Sequence, residues 1–353
     1  MLKLKEVKRL AAIRRRLALA ATLLWWAPAL SLAQASPDTA SARSAPWKPV
    51  TTIDFSSKHD VMIRNEDGTL TPMDVPYYRS KLIGPGVWQI ESDGDYQYLI
   101  EGEREALAID TGYGAGNIRA YMQTLTKKPV RYVANTHYHF DHTANDAYFD
   151  GAYMSAQTAE KATLPYPSFA GMTFPRDYPK IIVNDGYKID LGHREIEVLV
   201  IGNHTPGGTA YLDQTSRILF SGDEVMGRNE PLNVSVAQFA ANMRKLEAHR
   251  GEFDRLAGGP GLFDASTVDK YLAAAELVLS GKAGAAPAPR APGGGPGFAA
   301  APASETGATV VYQRRMVRAP DRPGGMGGAP NGEMRVMAYE DCQITYDMTH
   351  LIN

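Results

Sequence analysis

From Thr136 to His142 the chain reads THYHFDH, three histidines and an aspartate within seven residues, directly after the apolar run VRYVAN. In an extended segment alternate residues face the same way, so His137 and His139 can grip one ion from one side. Asp141 and His142 lie past the turn and can begin a second position. A lone histidine would read as a surface turn; four candidate ligands at this spacing, at the expected end of a strand, point to metal. The one cysteine, Cys342, supplies no CxxC pair, so nitrogen and oxygen must hold any ion. Two later stretches offer more ligands. His204 precedes a Pro-Gly-Gly turn in VLVIGNHTPGGTAYLD, and Asp223 follows a glycine in RILFSGDEVM. A carboxylate there could bridge two cations about 3.5 to 4 Å apart. Taken singly, each reads as a turn former; the conjunction gives them weight.

These residues need strands to deliver them. GVWQI (86–90), YQYLIEG (96–102), ALAIDTG (106–112) and VRYVANT (130–136) are rich in β-branched and aromatic residues and bounded by Gly, Pro or Asp, and so predict strands. NIRAYMQTLTKK is apolar at helical spacing, and TANDAYF predicts the start of a helix. LPYPSFAGMTFPRDYP predicts a long loop. YKIDL, EIEVLVIG, GTAYLD and RILFSGD predict strands, followed by helices over 236–250 and 266–279. Strand-rich halves that each end in helices imply an α/β (α+β) sandwich with helices outside.

In these residues the sequence resembles the metallo-β-lactamase superfamily. IDTG (Ile109 to Gly112), HYHFDH (His137 to His142), HTPGG (His204 to Gly208) and SGD (Ser221 to Asp223) stand in the family's order, and the resemblance runs from about Val87 to Leu279. It implies a four-layer αββα sandwich of two mixed sheets, with a metal groove at one edge. It also implies that His137, His139 and His204 hold a first zinc, that Asp141 and His142 belong to a second, that Asp223 bridges them, and that Asp110 orients the histidine loop.

There is one departure. The family commonly supplies a further histidine in a GHG turn; the corresponding stretch, FDRLAGGPGLFD, has Gly259 there, which has no ligating side chain. The expectation is one firmly bound Zn2+ and a weaker second. Bound zinc brings the pKa of its water to about 7 and polarises a carbonyl, and Asp141 is placed to orient the hydroxide and shuttle its proton. The expected function is a secreted zinc-dependent hydrolase of a cyclic amide, ester or thioester, β-lactamase-like or lactonase/thioesterase-like. Two alternatives stand beside it: an iron-dependent oxidoreductase of the same fold, and a metal-binding protein that has lost catalysis. Arg228, shortly after the bridging aspartate, is a weak candidate for holding a substrate carboxylate.

The flanks set the context. Basic residues, an apolar run from Leu17 to Leu32 and the Ala33-Gln34-Ala35 site make residues 1–35 an export signal, with a periplasmic or secreted destination. Residues 1–35 carry seven basic side chains and one acidic, so their removal leaves 30 basic against 38 acidic residues and a net charge of −8. That balance argues for a small-molecule substrate, with no nucleic-acid partner and no membrane association after signal removal; the oligomeric state is open. The expected organisation continues with a flexible leader and N-terminal extension over 36–75, the main domain over 76–280, a disordered Gly/Ala/Pro-rich insertion over 281–308, and a C-terminal hairpin over 309–353 that packs on the main domain. In that hairpin VVYQRRMV is expected to pair with EMRVMAYEDCQITYD.

Overall fold

Runs such as YQYLIE (96–101), ALAI (106–109), TAYLD (209–213) and ILFSG (218–222) are buried almost throughout, as strands covered on both faces must be, and they form two sheets that face each other. The computed structural model describes residues 46–55, 62–65, 67–92, 95–166, 169, 171–259, 261–287, 315–317 and 333–352. Trp47–Asn353 forms one unit. The expected signal over 1–35, the leader over 36–45 and the insertion from 288 to 308 lie outside the described residues.

Two short strands, β1 (Met62–Arg64) and β2 (Leu70–Pro72), come first. The first large sheet has seven strands in sequence order: β3 (Arg79–Gly84), β4 (Val87–Ser92), β5 (Asp95–Glu101), β6 (Ala106–Ile109), β7 (Val130–Ala134), β8 (Gly151–Met154) and β9 (Lys180–Ile182). It is antiparallel from β3 to β6 and parallel from β6 to β9. The second takes β10 (Lys188–Asp190), β11 (Glu195–Val200), β12 (Thr209–Asp213), β13 (Ile218–Gly222), β15 (Arg255–Gly258) and β16 (Gly261–Asp264), with β13 and β15 parallel. Both sheets are therefore mixed.

Three apolar clusters define the layers. Between the sheets, Tyr98, Leu107 and Ile109 of the first meet Val198, Tyr211 and Phe220 of the second; the rings of Tyr98 and Phe220 pack edge to face at 5.1 Å. On the outer face of the first sheet, Ile118 and Met122 of helix α1 (Ile118–Leu125) join Phe140, Tyr148 and Phe169. On the outer face of the second, α4 (Val236–Glu247) and α5 (Ser266–Leu279) bury Phe239, Met243, Tyr271 and Leu272. Helix, sheet, sheet, helix is a four-layer αββα sandwich. Side-chain caps start the helices: Asn117 accepts the Ala120 N–H in α1, Ser155 that of Thr158 in α3 (Ala156–Lys161), and Ser235 that of Gln238 in α4.

Several expectations need correction. The helix expected in TANDAYF begins earlier, as the four-residue α2 (Phe140–Thr143), and TANDAYF itself holds only a 3-10 turn at Asp146–Tyr148. The leader is not flexible throughout 36–50: the Trp47 indole N–H donates to the Phe149 carbonyl at 3.1 Å and the Val50 N–H to that of Ala147 at 3.0 Å. Nor is 281–287 disordered, since Ala285 exchanges both backbone hydrogen bonds with Val336. A backbone that finds partners on a neighbouring strand stays fixed whatever its composition. The C-terminal hairpin forms entirely within EMRVMAYEDCQITYD, as β18 (Met334–Tyr339) against β19 (Cys342–Asp347), while β17 (Arg315–Val317) pairs with β1. β19 also pairs in parallel with β14 (Asn229–Pro231).

Candidate metal centre

The C-terminal ends of β6, β7, β13 and β15 meet at one edge of the paired sheets, and each delivers a residue there. After β6, Asp110 adopts φ 56, a left-handed conformation uncommon outside glycine but tolerated by Asp. Its buried Oδ1 accepts the Thr136 N–H at 2.7 Å. Its Oδ2 accepts the Thr136 hydroxyl at 2.7 Å and faces His142 Nδ1 at 2.8 Å. One carboxylate thus ties both ends of THYHFDH to β6. His137 and His139 lie in the extended stretch beyond β7, and His142 lies on α2, turned inward with Phe140 buried beside it.

His204 comes from the second sheet, on the loop between β11 and β12. Glu224 holds that loop from behind. Its Oε2 accepts the N–H groups of Asn203 at 2.5 Å and His204 at 2.9 Å, and its Oε1 accepts the Thr205 N–H at 3.1 Å and the Thr205 hydroxyl at 3.2 Å. Asp223 follows β13, whose last residue, Gly222, has φ 48 and passes so close to Thr136 that a Cβ would stand 2.3 Å from its hydroxyl. Only glycine lets the strand end reach the histidine loop.

Two groups of potential ligands result. His137, His139 and His204 offer atoms within 4.8 Å of one another, and so do His137, His142 and Asp223. His139 Nδ1 and His204 Nε2 are 3.0 Å apart, a separation at which two ring nitrogens need a proton or a cation between them. The Asp223 carboxylate is shared: Oδ2 lies 3.7 Å from His204 Nε2 and Oδ1 3.7 Å from His142 Nε2. Asp141 stands further out, with Oδ2 4.0 Å from His142 Nε2.

This donor set suits a divalent ion. His137 Nε2 is buried without a hydrogen-bond partner among the described residues, which a native interior rarely tolerates unless something else satisfies it. Burial, reinforced by the neighbouring histidines, holds His137 well below its ordinary pKa, and burial brings His139 and His204 to about 4. Their lone pairs are free at neutral pH, as metal ligation requires. His142 differs: burial opposes its charge, but Asp110, Asp223 and Asp141 together raise it well above the usual value. Burial pushes Asp223 up, against the pull of His142. The second group is therefore a place where positive charge is held among carboxylates.

Other expected residues lie elsewhere or behave differently. Arg228 is half-buried, its carbonyl accepts the Gln343 N–H at 2.8 Å, and its charge acts on Asp341 and Cys342 in the C-terminal hairpin. Gly259 sits in the turn between β15 and β16, donates its N–H to the Gly222 carbonyl at 2.8 Å, and lies directly against Asp223: a Cβ there would stand 2.0 Å from Asp223 Oδ1. No spare histidine compensates among the described residues. His249 pairs with Glu252 at 3.0 Å and the exposed His193 lies 3.5 Å from Glu103. Sequence reasoning missed Glu224, whose signal was a carboxylate inside the apolar run after SGD. It also missed Tyr166, whose hydroxyl donates to Asp141 Oδ1 at 2.5 Å from a loop without periodicity.

Comparison with known proteins gives the family of the chain. The family model described as the metallo-beta-lactamase superfamily matches residues 94–288. Human acyl-coenzyme A thioesterase MBLAC2 is 26% identical over 187 residues, covering 42% of this chain and 67% of that protein. The atrochrysone carboxyl ACP thioesterase of Aspergillus fumigatus is 20% identical over 171 residues, covering 48% and 51%. A solved metallo-beta-lactamase from Pontibacter korlensis is 17% identical, with 57% of this chain and 99% of that one covered and a TM-score of 0.46. All four sequence motifs fall inside a match that spans more than half of the 353 residues, and the chain belongs to the metallo-beta-lactamase superfamily.

Proposed function

We propose that this chain is a zinc-dependent hydrolase that cleaves the thioester of an acyl group carried on a thiol. The observation that carries the reading is Asp223, whose two oxygens are divided between a ring of the first ligand group and a ring of the second. Two thioesterases among its relatives favour a thioester over a lactone or β-lactam. His137, His139 and His204 would hold the first ion, and His142, Asp223 and Asp141 the weaker second. Bound zinc supplies an acidified water and polarises the attacked carbonyl.

The chain's own residues do the rest. Asp110 fixes the ring of His142 through Nδ1, and Glu224 fixes the backbone of His204, so two rings on opposite sheets keep a set separation. Asp141, with one oxygen bonded to Tyr166, keeps Oδ2 toward the cluster. With the second position empty that oxygen would accept the proton of the attacking water and return it to the departing thiolate, and with the position filled it would serve as a ligand. The N-terminal segment, by its composition, directs the protein to the periplasm or the exterior; N-terminal sequencing of protein from the periplasmic fraction tests this and expects a start at Ser36.

Metal analysis of the purified protein, with a panel of acyl-coenzyme A thioesters, lactones and a chromogenic cephalosporin, tests the function. The expected result is bound zinc and thioester turnover that falls by roughly 100-fold or more in His139→Ala. Iron with oxygen uptake, or turnover indifferent to His139→Ala, would sink it.

A further inference from the structure

The loop that carries Tyr166 is fastened to α2 at one end and to the 3-10 turn after α2 at the other. Just before it, the Thr163 N–H donates to the Thr143 hydroxyl at 2.8 Å and the Thr163 hydroxyl to the Thr143 carbonyl at 2.7 Å. At its far end, the Tyr178 hydroxyl donates to Asp146 Oδ2 at 2.8 Å and lies 2.8 Å from the Thr163 hydroxyl. Between these ties the loop wraps Phe140, the residue between His139 and Asp141. The Phe140 ring meets Tyr166 at 5.6 Å, Phe169 at 4.7 Å and Phe174 at 4.6 Å. Ring packing on Phe140 and the hydrogen bond to Asp141 together aim the phenol of Tyr166 at one carboxylate.

Its target is half of one carboxylate. Asp141 Oδ1 accepts the phenol proton at 2.5 Å, while Oδ2 faces His142 Nε2 at 4.0 Å. The two oxygens are no longer equivalent: one is tied and one is left toward the second ligand group. That group is where the chain is short of a donor, because Gly259 brings backbone alone against Asp223. With one ligand fewer, the orientation of those remaining matters more.

We propose that Tyr166 is a positioning residue for Asp141, fixing Oδ1 so that Oδ2 is held toward the second metal position, where residue 259 adds no side chain of its own. This rests on the reading of the cluster as a metal centre. Hydrogen-bonded partners of ligating carboxylates and histidines typically contribute 10–100-fold in metal affinity, and the Tyr166 phenol, bonded to Asp141, is such a partner.

The test is titration of the metal-free full chain with zinc ion under chelator competition, for the wild type, Tyr166→Phe, Asp141→Asn and the double variant. Tyr166→Phe keeps the ring against Phe140; Tyr166→Met, with melting followed in parallel, serves if the phenylalanine variant does not fold. The wild type should bind two equivalents of unequal affinity. Tyr166→Phe should leave the first unchanged and weaken the second by about 10–100-fold, and the double variant should lose no more than Asp141→Asn alone. A second equivalent that Tyr166→Phe leaves unchanged or tightens, both equivalents weakened alike, or a wild type that binds one equivalent only would overturn the proposal and leave the metal reading standing. A wild type that binds no zinc would overturn both.

Discussion

Glu224 lies one residue past Asp223, is fully buried, and accepts three successive backbone N–H groups of the His204 loop. Burial raises its pKa to about 7, against those hydrogen bonds. Glu224→Gln keeps the volume but turns an NH2 toward donors, leaving at least one N–H unpaired at a cost of about 1–3 kcal/mol. His204 should then lose its fixed place, and zinc affinity at the first position should fall about 10–100-fold, read by chelator competition. Unchanged affinity would mean that the loop holds itself. Gly259 gives a second expectation. Adding a Cβ sets it on Asp223 Oδ1, and the short aspartate must swing away. Gly259→Ala should weaken the second equivalent of zinc while a melting curve stays within a few degrees. A histidine at 259 therefore does not simply restore a ligand: it first displaces the one the two groups share.

At the scale of elements, Asp146 in the turn after α2 gathers three of them. Its Oδ1 accepts the Thr111 hydroxyl beyond β6 and the Asn135 side-chain N–H beyond β7, each at 3.0 Å, and its Oδ2 accepts Tyr178 from the loop. Burial raises its pKa from 3.8 to about 7, against those three hydrogen bonds. A carboxyl raised on folding contributes stability that is fully present below the unfolded value near 3.8 and is lost as pH rises through about 7. Asp146→Asn cannot titrate, and Tyr178 can turn its proton to Thr163 and accept from the new amide. Urea midpoints measured from pH 4 to pH 7 should therefore decline less in Asp146→Asn than in the wild type; parallel curves would refute the assignment. Elements of this kind differ in how far the sequence shows them. The helix over 266–279 has four turns of periodic apolar residues and is legible to its ends. β15 and β16 are four residues each around a glycine turn and carry no period long enough to read. The four-residue α2 is set by the pull of Asp110 and the burial of Phe140, not by propensity.

At the scale of the whole molecule, the C-terminal hairpin is part of the outer layer. Ile344 and Tyr346 of β19 are buried with Tyr271 of α5 and Phe239 of α4, while the β19 backbone extends β14, a few residues past Asp223. Ile344→Ala should cost about 2–5 kcal/mol of stability by urea unfolding. It should leave first-equivalent zinc affinity unchanged, because His137 and His139 follow β7 and His204 follows β11, and none of them lies on the hairpin. A loss below about 1 kcal/mol would show the hairpin to be an appendage.

The order of the motifs, the identity of the histidines and aspartates and the two-sheet architecture with outer helices were all readable in the sequence. Each is encoded locally, by runs of β-branched and aromatic residues between turn formers, by ligand spacing within seven residues, or by helical periodicity. The tertiary structure alone decided that Tyr166 bonds Asp141 from 25 residues away, that Glu224 holds the loop of His204, that Gly259 lies against Asp223, and that the last hairpin closes on itself. The reason is physical. A hydrogen bond between groups on different elements depends on where packing and register place those elements, and no local pattern of residue types fixes that.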